Sequence, residues 1–196
     1  VYLTGQRRVR KLPNACCDTP TPATAGVMSV DEIEVFFGPN GRFDWKLVGK
    51  KEMLIPYNNN KLMQTKSADV FGPQHINPDV MRWELHRVWV VQASVKAGQR
   101  HNAPKGIYYF DEDTWNGVLA DRWDANGQLW KTMWMASMVM PDIPATGSAT
   151  FGFYDLITGT SYTNEFVGDK EKQYKAVPKI RDSVFTSDGL VGAGVR

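Results

Sequence analysis

The feature that most constrains this chain is alternation. In "NGRFDWKLVGKKEMLIP", residues 40–56, the side chains of Phe43, Trp45, Leu47, Met53 and Ile55 share one parity, and Asp44, Lys46, Lys50 and Glu52 occupy the other. "RWELHRVWVVQASVKAG", residues 82–98, repeats the pattern. Trp83, Leu85, Trp89, Val91, Ala93 and Val95 fall on one side, and Arg82, Glu84, His86, Gln92 and Ser94 on the other. A period of two over more than ten residues belongs to a strand with one dry and one wet face, which is the pattern of an antiparallel sheet. The Asn40-Gly41 pair supplies a turn signal ahead of the first of these strands.

The stretch "KGIYYFDEDTWNGVLADRWDANGQLWKTMWMASMVM" continues as a meander of three strands. Two turns separate them, "DEDT" and "DANGQ", the second with Asn126-Gly127 expected at two left-handed positions. The acidic residues Asp111, Glu112, Asp113, Asp121 and Asp124 therefore read mostly as corners. A helix-flanked calcium loop needs Gly at its sixth position, and no register started from these aspartates provides it. His86 and Glu84 share a strand face at metal-ligand spacing, but no third ligand is evident and no HExxH occurs, so a partly solvated face is the plainer reading. A hydrolase or metal enzyme built on Glu84, His86 and Asp121 is the weakest of the function classes considered. Nucleophile-elbow and phosphate-loop glycine motifs are absent.

"LWKTMWMASMVM" breaks the one-wet-face rule. Leu129, Met133, Met135 and Val139 lie on one parity, and Trp130, Trp134, Ala136, Met138 and Met140 on the other, so both faces are apolar. The second face must meet another layer, another polypeptide or an apolar guest. Met and Trp make adaptable apolar walls, so Trp130, Met133, Trp134, Met135 and Met138 are the candidate ligand-binding residues.

Elsewhere the chain gives softer signals. "SVDEIEVFFG" predicts a helix of about two turns, with Ser29 and Glu32 as a capping box and Gly38-Pro39 as its stop. "ATFGFYDLITGTSYTNEFVG" predicts a hairpin about Thr158-Gly159. Residues 56–79 form a long polar segment broken by proline; a loop this long is functional, mobile or wrapped over something. The tail from Lys175 is irregular with at most a short helix. Cys16 and Cys17 are neighbours, can pair only through a strained ring, and read as free thiols. The run Arg7, Arg8, Arg10, Lys11 reads as a basic strand edge. With a net charge of +2, no global field recruits nucleic acid. No apolar run reaches the length of a membrane span.

Several long motifs carry a family resemblance: "GQRRVRKLPN", "FDWKLVGKKEMLIPYNN", "MRWELHRVWVVQASVKAGQRH" and "YYFDEDTWNGVLADRWDANGQLW". Together they resemble the C-terminal half of the bacterial family known as domain of unknown function 1329. The resemblance implies a secreted protein of Gram-negative bacteria about twice this long, with residues 1–196 as one domain from its C-terminal part; the start at Val1 without Met fits. It carries no catalytic residues across. The phrase "YFDEDTW … DxxDANGQ" is similar to the hairpin pattern of periplasmic lipoprotein carriers and their outer-membrane receptors. Those fold as a strongly curved antiparallel sheet, a half-open barrel with acyl chains in its concave face. The expectation is thus an α+β fold, mostly antiparallel β, with a strongly curved sheet and few short helices. The expected function is non-enzymatic binding of an apolar or lipid-like ligand, or of a lipoprotein, in the periplasm or at the outer membrane. No cofactor or metal is expected. The alternative is an interaction module that packs on a partner chain or on the rest of a longer protein.

Overall fold

In a computed structural model, residues 2–3, 8–9, 16–164 and 177–194 are described. They fall into two compact units. In the smaller, strand β1 (Tyr2–Leu3) pairs antiparallel with β2 (Arg8–Val9), and the helix Ser187–Gly194 packs on both. Of the basic run, only the backbone of Arg8 lies in a described strand; Arg7, Arg10 and Lys11 lie outside the described residues.

The larger unit is built on a seven-stranded antiparallel sheet in simple meander order. Its strands are β3 (Phe43–Pro56), β4 (Trp83–Val95), β5 (Lys105–Asp111), β6 (Gly117–Trp123), β7 (Leu129–Met140), β8 (Ala145–Asp155) and β9 (Ser161–Thr163). The alternation therefore does what it predicts, and the fold is α+β with few short helices. The curvature is also direct. In a flat sheet β3 and β7 stand about 19 Å apart at the usual strand spacing. Here the Asn59 N–H donates to the Ser137 carbonyl at 2.7 Å, and the Ser137 hydroxyl to the Pro56 carbonyl at 3.4 Å. The sheet curls without closing into a barrel, and register shifts in four of its ladders help to bend it.

One shift corrects the sequence reading of β4. Trp45 pairs with Ala93, but beyond Val48 the register moves and Met53 pairs with His86. Ala93 and His86 differ in parity. The extra residue thus sends the same parity of β3 to opposite faces on either side of the bulge. Leu85 and Trp83, expected inside, are 65% and 46% exposed, while Val88 is fully buried. The turn before β7 also differs. Only Gly127 has positive φ; Asp124 binds the N–H groups of Asn126 and Gln128 at 2.9 and 2.8 Å. The hairpin expected at Thr158-Gly159 is present, with Gly159 at φ 72°.

Both faces of β7 are covered by this chain. On one, Met133 and Met135 pack with Tyr108, Ala120, Phe151 and Phe153 beneath Met28 and Val35. Ser137 has the same parity, so the sheet curls over this face. On the other, Trp134, Ala136 and Met138 pack with Leu62, Met63, Val70, Ile76 and Val80. The first four come from the long polar segment and Val80 directly follows it; the stretch folds into α1 (Asn60–Gln64), α2 (Ser67–Val70) and a 3-10 turn, Pro78–Val80. The segment is wrapped over the sheet. Asn60 ties it down by bonding both backbone groups of Val139 through its side-chain amide, at 2.9 and 3.2 Å.

The helix expected at Ser29 is a single 3-10 turn, Val30–Glu32. Glu32 accepts the Ser29 N–H at 2.9 Å, as a capping box requires. The chain then turns away, with Glu34 and Val35 at positive φ. Long-range ion pairs oppose helix growth. Arg122 binds Asp31 at 3.1 Å, Lys131 binds Glu32 at 2.7 Å, and His101 Nε2 lies 2.9 Å from Asp31. The side chains of all five are nearly sealed from solvent, so the pairs fasten this segment to β6 and β7. Cys16 and Cys17 are free thiols, and burial pushes Cys17 up to about 11.

Candidate functional site

The hollow adjoining the candidate residues lies on the face of β6–β8 opposite the enclosed one. It has a volume of about 240 Å³, and Ile76, Met81, Trp83, Leu119, Trp134 and Tyr154 supply most of its apolar wall. Trp134 is its floor. Its cross-strand partner is Gly152, and a Cβ there would stand 2.8 Å from Trp134 Cζ2 and 2.1 Å from the Tyr162 carbonyl oxygen. The glycine lets the indole lie across β8 and stack loosely on Tyr154, ring centroids 6.2 Å apart. Trp134 Nε1 is buried with no hydrogen-bond partner. Burial pushes the Tyr154 phenol up, and its oxygen accepts the Ile76 N–H at 3.4 Å. A more open hollow of about 400 Å³ shares His75 and Ile76 and continues towards Ser161 and Thr163.

The structure divides the candidate residues. Trp134 and Met133 line the hollow. The Met133 side chain also belongs to the enclosed core, as does that of Met135. Met138 is buried in the second core. Trp130 stands apart: it is the extra residue at a register shift, and its indole N–H donates to Asp155 at 2.9 Å. Among the metal-enzyme candidates, Asp121 is held by Thr132 at 3.0 Å and Tyr109 at 3.4 Å, away from Glu84 and His86.

Sequence reasoning missed the mouth of the hollow. Trp83 lines it, and Trp83 and Leu85 project from β4 beside Pro56 and Leu54 of β3. Leu54 and Leu85 are both more than half exposed. The result is an apolar strip running out from the hollow. The signal for it is the bulge, marked in the sequence by Gly49 inside the β3 pattern, which stands at the register shift with φ 148°. The concave side, where the carrier resemblance places acyl chains, is instead filled by this chain's own side chains.

An open, curled antiparallel sheet with a strap across its back defines the structural class. A crystal structure from Vibrio parahaemolyticus, described as a domain of a candidate outer membrane lipoprotein-sorting protein, has a similar fold. The TM-score is 0.50 at 12% identity, covering 97% of this chain and 64% of that one. The chain belongs to the family described as protein of unknown function (DUF1329), whose family model matches residues 1–191. It is 36% identical to the uncharacterized protein PA3922 of Pseudomonas aeruginosa over 198 residues, all of this chain and 44% of that protein. The chain thus spans less than half the length of that curated relative. A DUF1329 family crystal structure from Desulfovibrio piger aligns with 76% of this chain and 47% of its own at TM-score 0.39 and 13% identity. No helix among the described residues is long and apolar enough to cross a membrane.

Proposed function

We propose that this chain is a module of a cell-envelope protein that binds an apolar or lipid-like ligand, or the acyl part of a lipoprotein, by burial alone and without catalysis. The observation that carries this reading is the continuity between the hollow over Trp134 and the exposed strip of Trp83, Leu85 and Leu54. The fold shared with the lipoprotein-sorting domain supports an envelope setting in the periplasm or at the outer membrane. Each methylene removed from water contributes about 0.8 kcal/mol, so a segment of about six contributes about 5 kcal/mol. A hollow of about 240 Å³ suits such a segment better than a whole lipid.

The test uses Trp83, which is half exposed and separable from the fold; Trp134 is buried, and its truncation costs stability as well. A medium-chain fatty acid is titrated into the purified chain, with tryptophan fluorescence as readout, and native mass spectrometry looks for co-purified lipid. Trp83→Ser is expected to weaken binding by roughly tenfold, the worth of about 1.4 kcal/mol of lost apolar contact, with little change in Tm. Absence of bound lipid together with equal titrations for wild type and Trp83→Ser sinks the proposal.

A second reading has its own observation. The chain spans 44% of its relative, so the strip is also a surface on which the rest of such a protein can pack. Co-expression with the remaining sequence, followed by size-exclusion chromatography, distinguishes the two. A stable complex lost in Leu85→Asp, without any lipid, favours the interaction module.

A further inference from the structure

The turn after β5 brings an imidazole and two carboxylates to one point. His86 Nδ1 lies 3.3 Å from Oδ1 of Asp111 and 3.6 Å from Oδ2 of Asp113. One ligand atom from each residue falls within 4.8 Å of the others. We propose that His86, Asp111 and Asp113 bind a divalent transition-metal cation that accepts mixed nitrogen and oxygen ligands, represented by Zn²⁺ or Mn²⁺.

The spacing fits. Two ligands bonded to one ion at about 2.1 Å, with angles between 90° and 109°, stand about 3.0–3.4 Å apart. The independent observation is Asp111. Its side chain is fully sealed from solvent. Its Oδ2 accepts from the N–H and hydroxyl of Thr114 at 2.9 and 2.6 Å, whereas Oδ1 has no hydrogen-bond partner and faces the cluster. A buried carboxylate oxygen without a hydrogen bond, its imidazole neighbour 3.3 Å away, is costly, and a cation shared between the two satisfies it.

The far side of the imidazole is arranged to match. Glu84 Oε2 lies 3.6 Å from His86 Nε2, and Asn58 and Arg82 hold the other Glu84 oxygen at 2.7 and 2.8 Å. A carboxylate behind the ring favours the proton on Nε2 and leaves the Nδ1 lone pair for an ion. The Tyr57 ring covers the imidazole, centroids 4.1 Å apart. Burial first, and then the charges of Asp111, Asp113 and Glu84, push the Tyr57 phenol up. The nearby cations Lys50 and Arg87 are committed to Glu112. One imidazole nitrogen with carboxylate oxygens favours zinc or manganese over a purely oxygen-seeking ion.

Asp113 is the clean handle, because its side chain is 73% exposed. The full chain is stripped of metal on chelating resin and titrated calorimetrically with ZnCl₂ and MnCl₂, with CaCl₂ and MgCl₂ for comparison; Tm is read in parallel. One equivalent of Zn²⁺ or Mn²⁺ is expected to bind and to raise Tm. Asp113→Asn and His86→Ala are expected to weaken binding at least tenfold, and Glu84→Gln by roughly tenfold through loss of ring orientation. Glu112→Gln is expected to bind like wild type. Circular dichroism confirms that each variant is folded. Absence of stoichiometric binding, or wild-type affinity in Asp113→Asn, overturns the proposal. In that case the cluster is a contact between the His86 imidazole and the two aspartates that holds no ion.

Discussion

Asp31 shows how much a single residue can hold. Burial alone would push its carboxyl up, but the His101 hydrogen bond, the Arg122 guanidinium and the Ser29 hydroxyl outweigh that and hold it at about 2. A carboxylate lowered on folding stabilises the folded state above its ordinary pKa, and the contribution is lost as the pH falls through the folded value. A drop from 3.8 to about 2 is worth about 2 kcal/mol. Urea unfolding should therefore show that contribution at full size above about pH 4, shrinking steadily between pH 4 and 2, and absent from Asp31→Asn. Arg122→Ala should be harsher. It leaves Asp31 and Glu32 buried beside one fewer cation, and breaking such a pair costs about 3–5 kcal/mol; a urea midpoint shift with unchanged m value would measure it. None of this network was legible locally. Ser29 and Glu32 have capping-box spacing and do bond each other, but the partners that decide the geometry, Arg122 and Lys131, lie some ninety residues along the chain.

At the scale of elements, the strands were legible because alternation is a local pattern that survives folding. The strap of residues 57–82 was not. Its apolar residues Leu62, Met63, Val70, Ile76 and Val80 are scattered among polar ones, and its helices are single turns with no periodicity to read. The apolar second face of β7 did require a cover, and this segment is that cover. Leu62, fully buried, is its central peg. Leu62→Ala should lower stability by about 2–5 kcal/mol and loosen the strap, read as faster hydrogen exchange at the Asn59 amide. Gly152→Ala tests the other side of the same seam. The added methyl has no room against the Tyr162 carbonyl and the Trp134 ring, so Tm should fall and tryptophan fluorescence should shift towards the exposed value. Apart from the one that Gly49 marks in β3, bulges were invisible for another reason. Val48, Val118, Trp130 and Ala149 are ordinary strand residues, and only the pairing shows that each is surplus. That is why Trp130 was grouped with Trp134 although it bonds elsewhere.

At the scale of the larger unit, a curled antiparallel sheet was legible through its hairpin pattern, but which of its faces holds a hollow was not. Filling of the concave side depends on where residues 16–42 land, and the buried ion pairs decide that. The same limit hid the His86 cluster. The sequence showed Glu84 and His86 two residues apart and a group of acids 25 residues on; only the β4–β5 register, with Val88 opposite Asp111, joins them. Native-state hydrogen exchange should rank the unit accordingly. Amides of β5–β7, paired on both sides beneath two layers, should exchange slowest, and those of the strap fastest.

The outer rim of β3 carries one more consequence. Fourteen residues long, it has no neighbour on that side among the described residues, yet it is kinked at Val48 and studded with exposed Lys46, Lys50 and Lys51. Such a border resists docking of a second copy strand to strand. Excising Val48 while neutralising those lysines would straighten and discharge it, and copies of the chain would then be expected to pair rim to rim and polymerise into fibres.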